Sequence, residues 1–203
     1  MPSRLGLAFL AALVAATTAA HLDARQRFTK QEADRFQSKL TRIVELGHIQ
    51  RPRTTGARTT PLTDVEVTAY LRHHAKDQVP VGIVEPTLTA LGGGRVAGRA
   101  VVDLDAVRKQ KQRGWLDPLA YLTGRLPLQA TGLLITQNGV GRFQLESADI
   151  SGVAVPKTVV QELLSYYSRT PENPAGINMD DPFALPSRIR EIRVEKGQAM
   201  VIQ

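Results

Sequence analysis

The chain of 203 residues contains no cysteine. That single absence excludes disulfides, thiol nucleophiles and Cys-type zinc sites, and with them the lipidated cysteine of a bacterial lipoprotein. Stability therefore has to come from apolar burial and backbone pairing. Other chemistries lack their motifs as well. No serine stands in a G-x-S-x-G elbow, and no glycine run has phosphate-loop spacing. There is no internal repeat at a short fixed period and no long low-complexity tract. Beyond the first twenty residues no run is apolar enough to cross a bilayer, which takes about 20 apolar residues.

What is present begins with an export pattern. Arg4 precedes an apolar run over residues 5–16, and Thr17-Thr18-Ala19-Ala20 makes a small-residue exit. This layout predicts a signal peptide over residues 1–20, cleaved near Ala20, and a periplasmic or extracellular protein starting at His21. The alternative is a signal retained as an anchor. The formal charge is +7, and loss of Arg4 lowers it by one. A basic balance outside the cytoplasm points to anionic membrane surfaces before nucleic acid. The plain alternative is a soluble protein that is simply basic. The tight basic cluster is Arg108, Lys109, Lys111 and Arg113, which also fits a solvated helix end.

Two capping boxes open helices. Thr29-Lys30-Gln31-Glu32 leads into Ala33, Phe36, Leu40, Ile43 and Val44 at helical spacing, with Gly47 placed to stop the helix. Residues 51–60, rich in Arg, Thr and Pro, read as a loop. Thr63-Asp64-Val65-Glu66 starts a second helix, expected to present Val67, Tyr70, Leu71 and His74 on one side. A strand reading competes there, because Val65, Val67, Ala69 and Leu71 alternate.

The hairpins are the most informative part. Gly92-Gly93-Gly94 separates two alternating runs. A three-residue loop sets Leu91 opposite Arg95, Ala90 opposite Val96, Leu88 opposite Gly98 and Val84 opposite Val102. That register gathers the apolar residues on one face, with Thr87, Thr89, Arg95 and Arg99 on the other; a one-residue slip would mix them. Asn138-Gly139 predicts a type I′ turn, facing Leu134 to Phe143, Gly132 to Leu145 and Ala130 to Ser147. Between the two hairpins lie the basic linker and a short turn or helix over residues 115–122. Pro156 opens a third helix with the stripe Val160, Leu163, Leu164 and Tyr167. Residues 170–182 form a Pro/Asn/Asp-rich loop. Lys196-Gly197 turns a last hairpin, pairing Val194 with Ala199 and Ile192 with Val201.

Little of this composes a catalytic or metal site. Gly92, Gly94 and Ala97 can be laid on a dinucleotide fingerprint, but a strand follows where a helix is required. His73 and His74 diverge by about 100° on a helix. No acidic partner at ligand spacing accompanies them, and His21 has only a new amino terminus to share a metal with. Asp103 with Asp105, and Asp180 with Asp181, read as solvated carboxylates. The expectation is a chain without enzyme activity, cofactor or metal. A sheet curling round a helix leaves a groove where apolar ligands bind, unless side chains fill it into a solid core.

The element pattern resembles bacterial envelope proteins of the tubular lipid-binding kind, including the LmeA-like phospholipid-binding proteins and the YceB-like lipoproteins. The likeness rests on residues 62–71 as an early capped helix, residues 84–104 as a glycine-turned hairpin, residues 145–156 as a strand with a G-x-x-x-P exit into the helix over 159–167, and residues 185–194 with Gly197 as a final hairpin. It implies an α+β fold: a curved antiparallel sheet wrapped on a long helix, with an interior able to hold acyl chains and no catalysis. Residues 21–61 fall outside the pattern, no lipobox cysteine is present, and no family binding residue maps onto this chain. The domain reading is accordingly an N-terminal helix and loop over 21–61 and a lipid-binding-like domain over 62–203. Tyr70, Leu71, Leu88, Val102, Leu134, Phe143, Leu145, Leu163 and Tyr167 are expected to line the interior. Arg95, Arg99, Arg108, Lys109, Lys111 and Arg113 are candidates for an anionic headgroup. The expected partner is a lipid or other apolar small molecule, with an anionic membrane surface as a further one. The alternative function is a structural or protein-binding envelope module with a solid core.

Overall fold

The structure is a computed structural model and describes residues 28–49, 56–79, 81–106, 124–171 and 173–203. The export segment, His21, the start of the 51–60 loop, the basic cluster at 108–113 and the 115–122 turn lie outside the described residues, as does the side chain of Tyr167.

Thr29 caps α1 (Lys30–His48) by accepting the Glu32 N–H at 3.3 Å. Only that half of the expected box forms, because the Glu32 carboxylate turns to Arg35 instead. Gly47 does not stop the helix, which runs through it to His48. The reason for glycine there is contact: a Cβ would fall 2.6 Å from the Ser187 Cα. The expected 51–60 loop ends earlier than its composition indicates, since β1 (Thr59–Thr63) already pairs Thr59 with Ile202 and Thr60 with Val201.

The second capping box closes in both directions between Thr63 and Glu66, and α2 (Asp64–His73) follows. The strand alternative is overruled by that cap. The buried side of α2 differs from the expected one, however. Glu66, Thr68 and Ala69 are buried, while Val67, Tyr70, Leu71 and His74 are half-buried. The hydrophobic count missed a polar pair of anchors: Glu66 for α1 and Thr68 for the sheet.

The remaining elements are β2 (Ile83–Gly92), β3 (Arg95–Asp103), β4 (Arg125–Gln137), β5 (Val140–Ile150), β6 (Val153–Ala154), α3 (Lys157–Tyr167), β7 (Phe183–Ala184), β8 (Glu191–Glu195) and β9 (Gln198–Ile202). The fold is α+β. A six-stranded sheet runs β2-β3-β4-β5-β6, with β7 also on β5, and a three-stranded sheet runs β1-β9-β8. Every strand pairing among the described residues is antiparallel.

The registers largely follow the apolar pattern, with three irregularities the pattern does not show. In the first hairpin Ala90 faces Val96 and Leu88 faces Gly98, as expected. Leu91 does not face Arg95: Gly92 does, and Leu91 bridges to Lys196. A second shift moves Val84 onto Val101 and gives Val102 to Ile83. In the second hairpin Asn138 and Gly139 take φ of 51° and 79°, as a type I′ turn demands. Leu134 meets Phe143 and Gly132 meets Leu145, but Glu146 is an extra residue, so Ala130 meets Ala148 rather than Ser147. The last hairpin pairs Val194 with Ala199 and Ile192 with Val201 as expected.

The closed core lies around the small sheet. Ile43 of α1, Leu185, Ile189 and Val201 pack together, with Leu62 and Ile192 against them. The longest described helix is α1, 19 residues on the core side, whereas α3 has 11 residues and packs beside β5. The small sheet meets the turn end of the large one through Gly94 N–H to Val194 O, Gly197 N–H to Ala90 O and Gly139 N–H to Arg190 O.

Candidate ligand-binding site

The large sheet separates its residues by chemistry. Reading across the registers, one face carries Leu88, Gly98, Ala130 and Ala148 in one row, Val96, Gly132 and Leu145 in the next, and Leu134 with Phe143 toward the turns. Toward the other end come Ala100, Leu128 and Ile150, then Val102 and Leu126. Alternation across a strand puts all of these on one side. This inner face bears no charged residue. Its single hydroxyl near the turns, Thr136, is already spent on the backbone of Ile192, accepting at 2.7 Å and donating at 2.9 Å.

Burial along this face is uneven. Four of its small residues, Ala90, Gly132, Gly141 and Ala148, are buried, whereas Gly98, Ala100 and Ala130 are half-buried. Its large ones, from Leu88 and Val102 to Leu134, Phe143 and Leu145, are only half-buried. The core around the small sheet is different, with Ile43 at 2% and Val201 at 3% exposed. Two glycines shape the surface further. A Cβ on Gly132 would enter the Phe143 ring, and one on Gly141 would enter the Phe183 ring. Both rings therefore occupy the space that a side chain would need there. Phe183, 44% exposed, extends the apolar face at its β7 edge. Phe183 lies just past the 170–182 loop and carries no periodicity of its own; the glycine opposite it is the available signal.

Five of the nine expected lining residues share this face: Leu88, Val102, Leu134, Phe143 and Leu145. Leu163 is half-buried on α3, which packs on β5. Leu71 lies one turn beyond Thr68, on the side of α2 that meets β2. Tyr70 sits elsewhere, its ring 4.8 Å from that of Phe36 in the seam between α1 and α2. Arg95 and Arg99 are on the opposite, outer face of the sheet and exposed, with Arg95 3.1 Å from Glu146. They do not reach a group lying on the inner face.

The polar candidates are engaged in structure. Asp103 accepts the Ala106 N–H at 3.0 Å and the Arg125 guanidinium at 3.0 Å, and these hold its carboxyl below the ordinary range. Asp180 pairs with Lys157, and Asp181 accepts from Asn178. His73 meets the Phe28 carbonyl oxygen, and His74 lies 2.6 Å from Asp34. Among the described residues no three His, Asp or Glu side chains converge as metal ligands. A separate cleft of about 530 Å³, lined by Gln137, Asn138, Arg190 and Arg193 together with Ala57 and Ile202, includes none of the expected ligand residues. No described helix is long and apolar enough to cross a membrane.

Neither a family model nor a curated protein matches the chain. Among solved structures, one titled "Crystal structure of lipopolysaccharide binding protein" is similar at 15% identity with a TM-score of 0.22. The alignment takes in 76% of this chain but spans less than half, 45%, of that one.

Proposed function

We propose that the chain is an exported, non-catalytic carrier that holds a lipid or similar apolar molecule on the inner face of its large sheet. The observation that supports this is the mismatch in burial: a face without charge whose large apolar side chains stay half-open, beside a small core that is closed. In a solid-core module those side chains would be as buried as Ile43. The apolar rows from Leu126 to Leu134 extend about 27 Å at 3.3 Å per residue. Each methylene covered there contributes roughly 0.8 kcal/mol, so a chain-like ligand needs no specific polar contact. The wrap of sheet around helix expected from tubular lipid-binding proteins belongs to this reading, with α2 packed on β2 and α3 on β5.

The test uses neighbours on opposite faces. Leu145→Gln and Gln144→Glu lie side by side in β5, one inward and one outward. The wild type is expected to bind the fluorescent fatty acid cis-parinaric acid and to carry co-purified lipid in native mass spectrometry. Leu145→Gln is expected to lose most of that binding and Gln144→Glu to retain it. A wild type that neither carries nor takes up apolar ligand overturns the carrier reading and favours the solid-core module. Equal binding by both variants, each shown to be folded by circular dichroism, overturns the assignment of the face.

A further inference from the structure

The outer face of the same sheet has a composition that the ligand site does not use. Arg95, Arg99 and Arg142 are exposed on it. Arg95 is beside Leu133 in the register, and Arg142 is beside Ile135. Ile135 is 43% exposed and Val140, on the same side, 46%. Of the acids there, Glu146 is taken by Arg95, Asp103 by Arg125, and Asp149 accepts the Gly152 N–H. Arg99 and Arg142 have no ion-pair partner among the described residues.

We propose that this outer face docks on an anionic membrane surface. Aliphatic side chains standing in water beside uncompensated guanidiniums are what an interfacial contact requires: the aliphatics enter the acyl boundary while the guanidiniums meet lipid phosphates. Guanidinium and phosphate also match in geometry. Nucleic acid fits less well, since the described outer-face residues include no aromatic side chain on which a base could stack. The two faces of one sheet then divide the work, the inner holding a ligand and the outer meeting the bilayer. The residues are separate, so either assignment can fail alone.

The experiment compares the full chain with Arg99→Glu/Arg142→Glu and with Ile135→Asp, using phosphatidylcholine vesicles with and without phosphatidylglycerol. Residues 1–20 are common to all three proteins, so differences isolate the patch. The wild type is expected to sediment with the anionic vesicles in preference to the neutral ones, and less so at high salt. The double reversal is expected to cut partitioning roughly ten-fold or more, and Ile135→Asp to weaken it too. Both variants should keep wild-type melting behaviour and fatty-acid uptake. Absence of any anionic preference, or unchanged partitioning in the double reversal, overturns the proposal.

Discussion

The Thr68 hydroxyl donates to the Leu88 carbonyl oxygen at 3.1 Å and accepts the Leu88 N–H at 3.0 Å. One side chain thus replaces the neighbouring strand that the edge of β2 lacks, and it ties α2 to the sheet. Thr136 treats Ile192 in β8 the same way. Open sheet edges invite pairing with other chains, so a fully buried hydroxyl is an economical plug.

Thr68→Val keeps the shape and removes both bonds. The Leu88 N–H and C=O lose their partner, and stability is expected to fall by roughly 1–3 kcal/mol. Thr68→Ser retains the hydroxyl and is expected to recover much of the loss. Urea unfolding midpoints for the three proteins check this; a Val variant as stable as wild type would remove Thr68 from the account of the edge.

Glu66 gives the fold an acid-sensitive joint. Burial pushes its carboxyl upward, but hydrogen bonds from Lys39 at 2.7 and 2.8 Å and from the Thr63 N–H, with the Lys39 charge, together outweigh that and hold it below its ordinary 4.5. The folded group therefore binds its proton later than the unfolded one. Its contribution is complete above pH 4.5, fades as the pH drops past that value, and is gone below the folded pKa. Glu66→Gln is expected to lower stability at neutral pH by about 1–3 kcal/mol and to flatten the acid limb of a stability–pH curve. Parallel acid limbs for the two proteins would place the acid sensitivity elsewhere.

Phe183 makes a prediction about affinity rather than folding. Its ring is half-exposed over Gly141, so truncation removes little that is buried. Phe183→Ala is expected to cost about 1 kcal/mol or less in stability and to weaken fatty-acid binding several-fold if the ligand reaches the β7 edge. Unchanged affinity in a fluorescence titration would end the ligand face at Phe143.

Much of the sheet was legible because its inner face is so consistently apolar. Ala90 with Val96 and Leu134 with Phe143 follow from alternation plus a glycine turn. The bulges at Leu91 and Glu146 were not legible, because an extra residue leaves no mark until its partner strand is known. The short β1 was hidden by a Thr- and Pro-rich sequence whose pairing comes from β9, some 140 residues away. The face of α2 was misread because hydrophobic spacing gives no weight to buried Thr68 and Glu66, whose partners lie on β2 and α1. The separation of Arg95 and Arg99 from the apolar face, by contrast, was already written in the alternation of β3.

Gly47 sets two ordinary effects against each other. Inside an exposed helix, alanine in place of glycine adds about 1 kcal/mol of stability by restricting the unfolded chain. Here a Cβ would stand 2.6 Å from the Ser187 Cα and 2.7 Å from its carbonyl carbon and oxygen. Those are backbone atoms, and the segment they belong to is held by Gln203, whose side-chain amide donates to the Ser187 oxygen at 2.7 Å and to the Ile43 oxygen at 2.9 Å. Overpacking of this kind costs about 1–3 kcal/mol, which exceeds the helix gain. Gly47→Ala is therefore expected to lower the melting temperature, while the same change at an open position such as Gly56, where nothing lies within 4 Å, leaves it nearly unchanged. A rise in melting temperature for Gly47→Ala would show that the contact between α1 and the 185–189 segment yields more readily than its hydrogen bonds indicate.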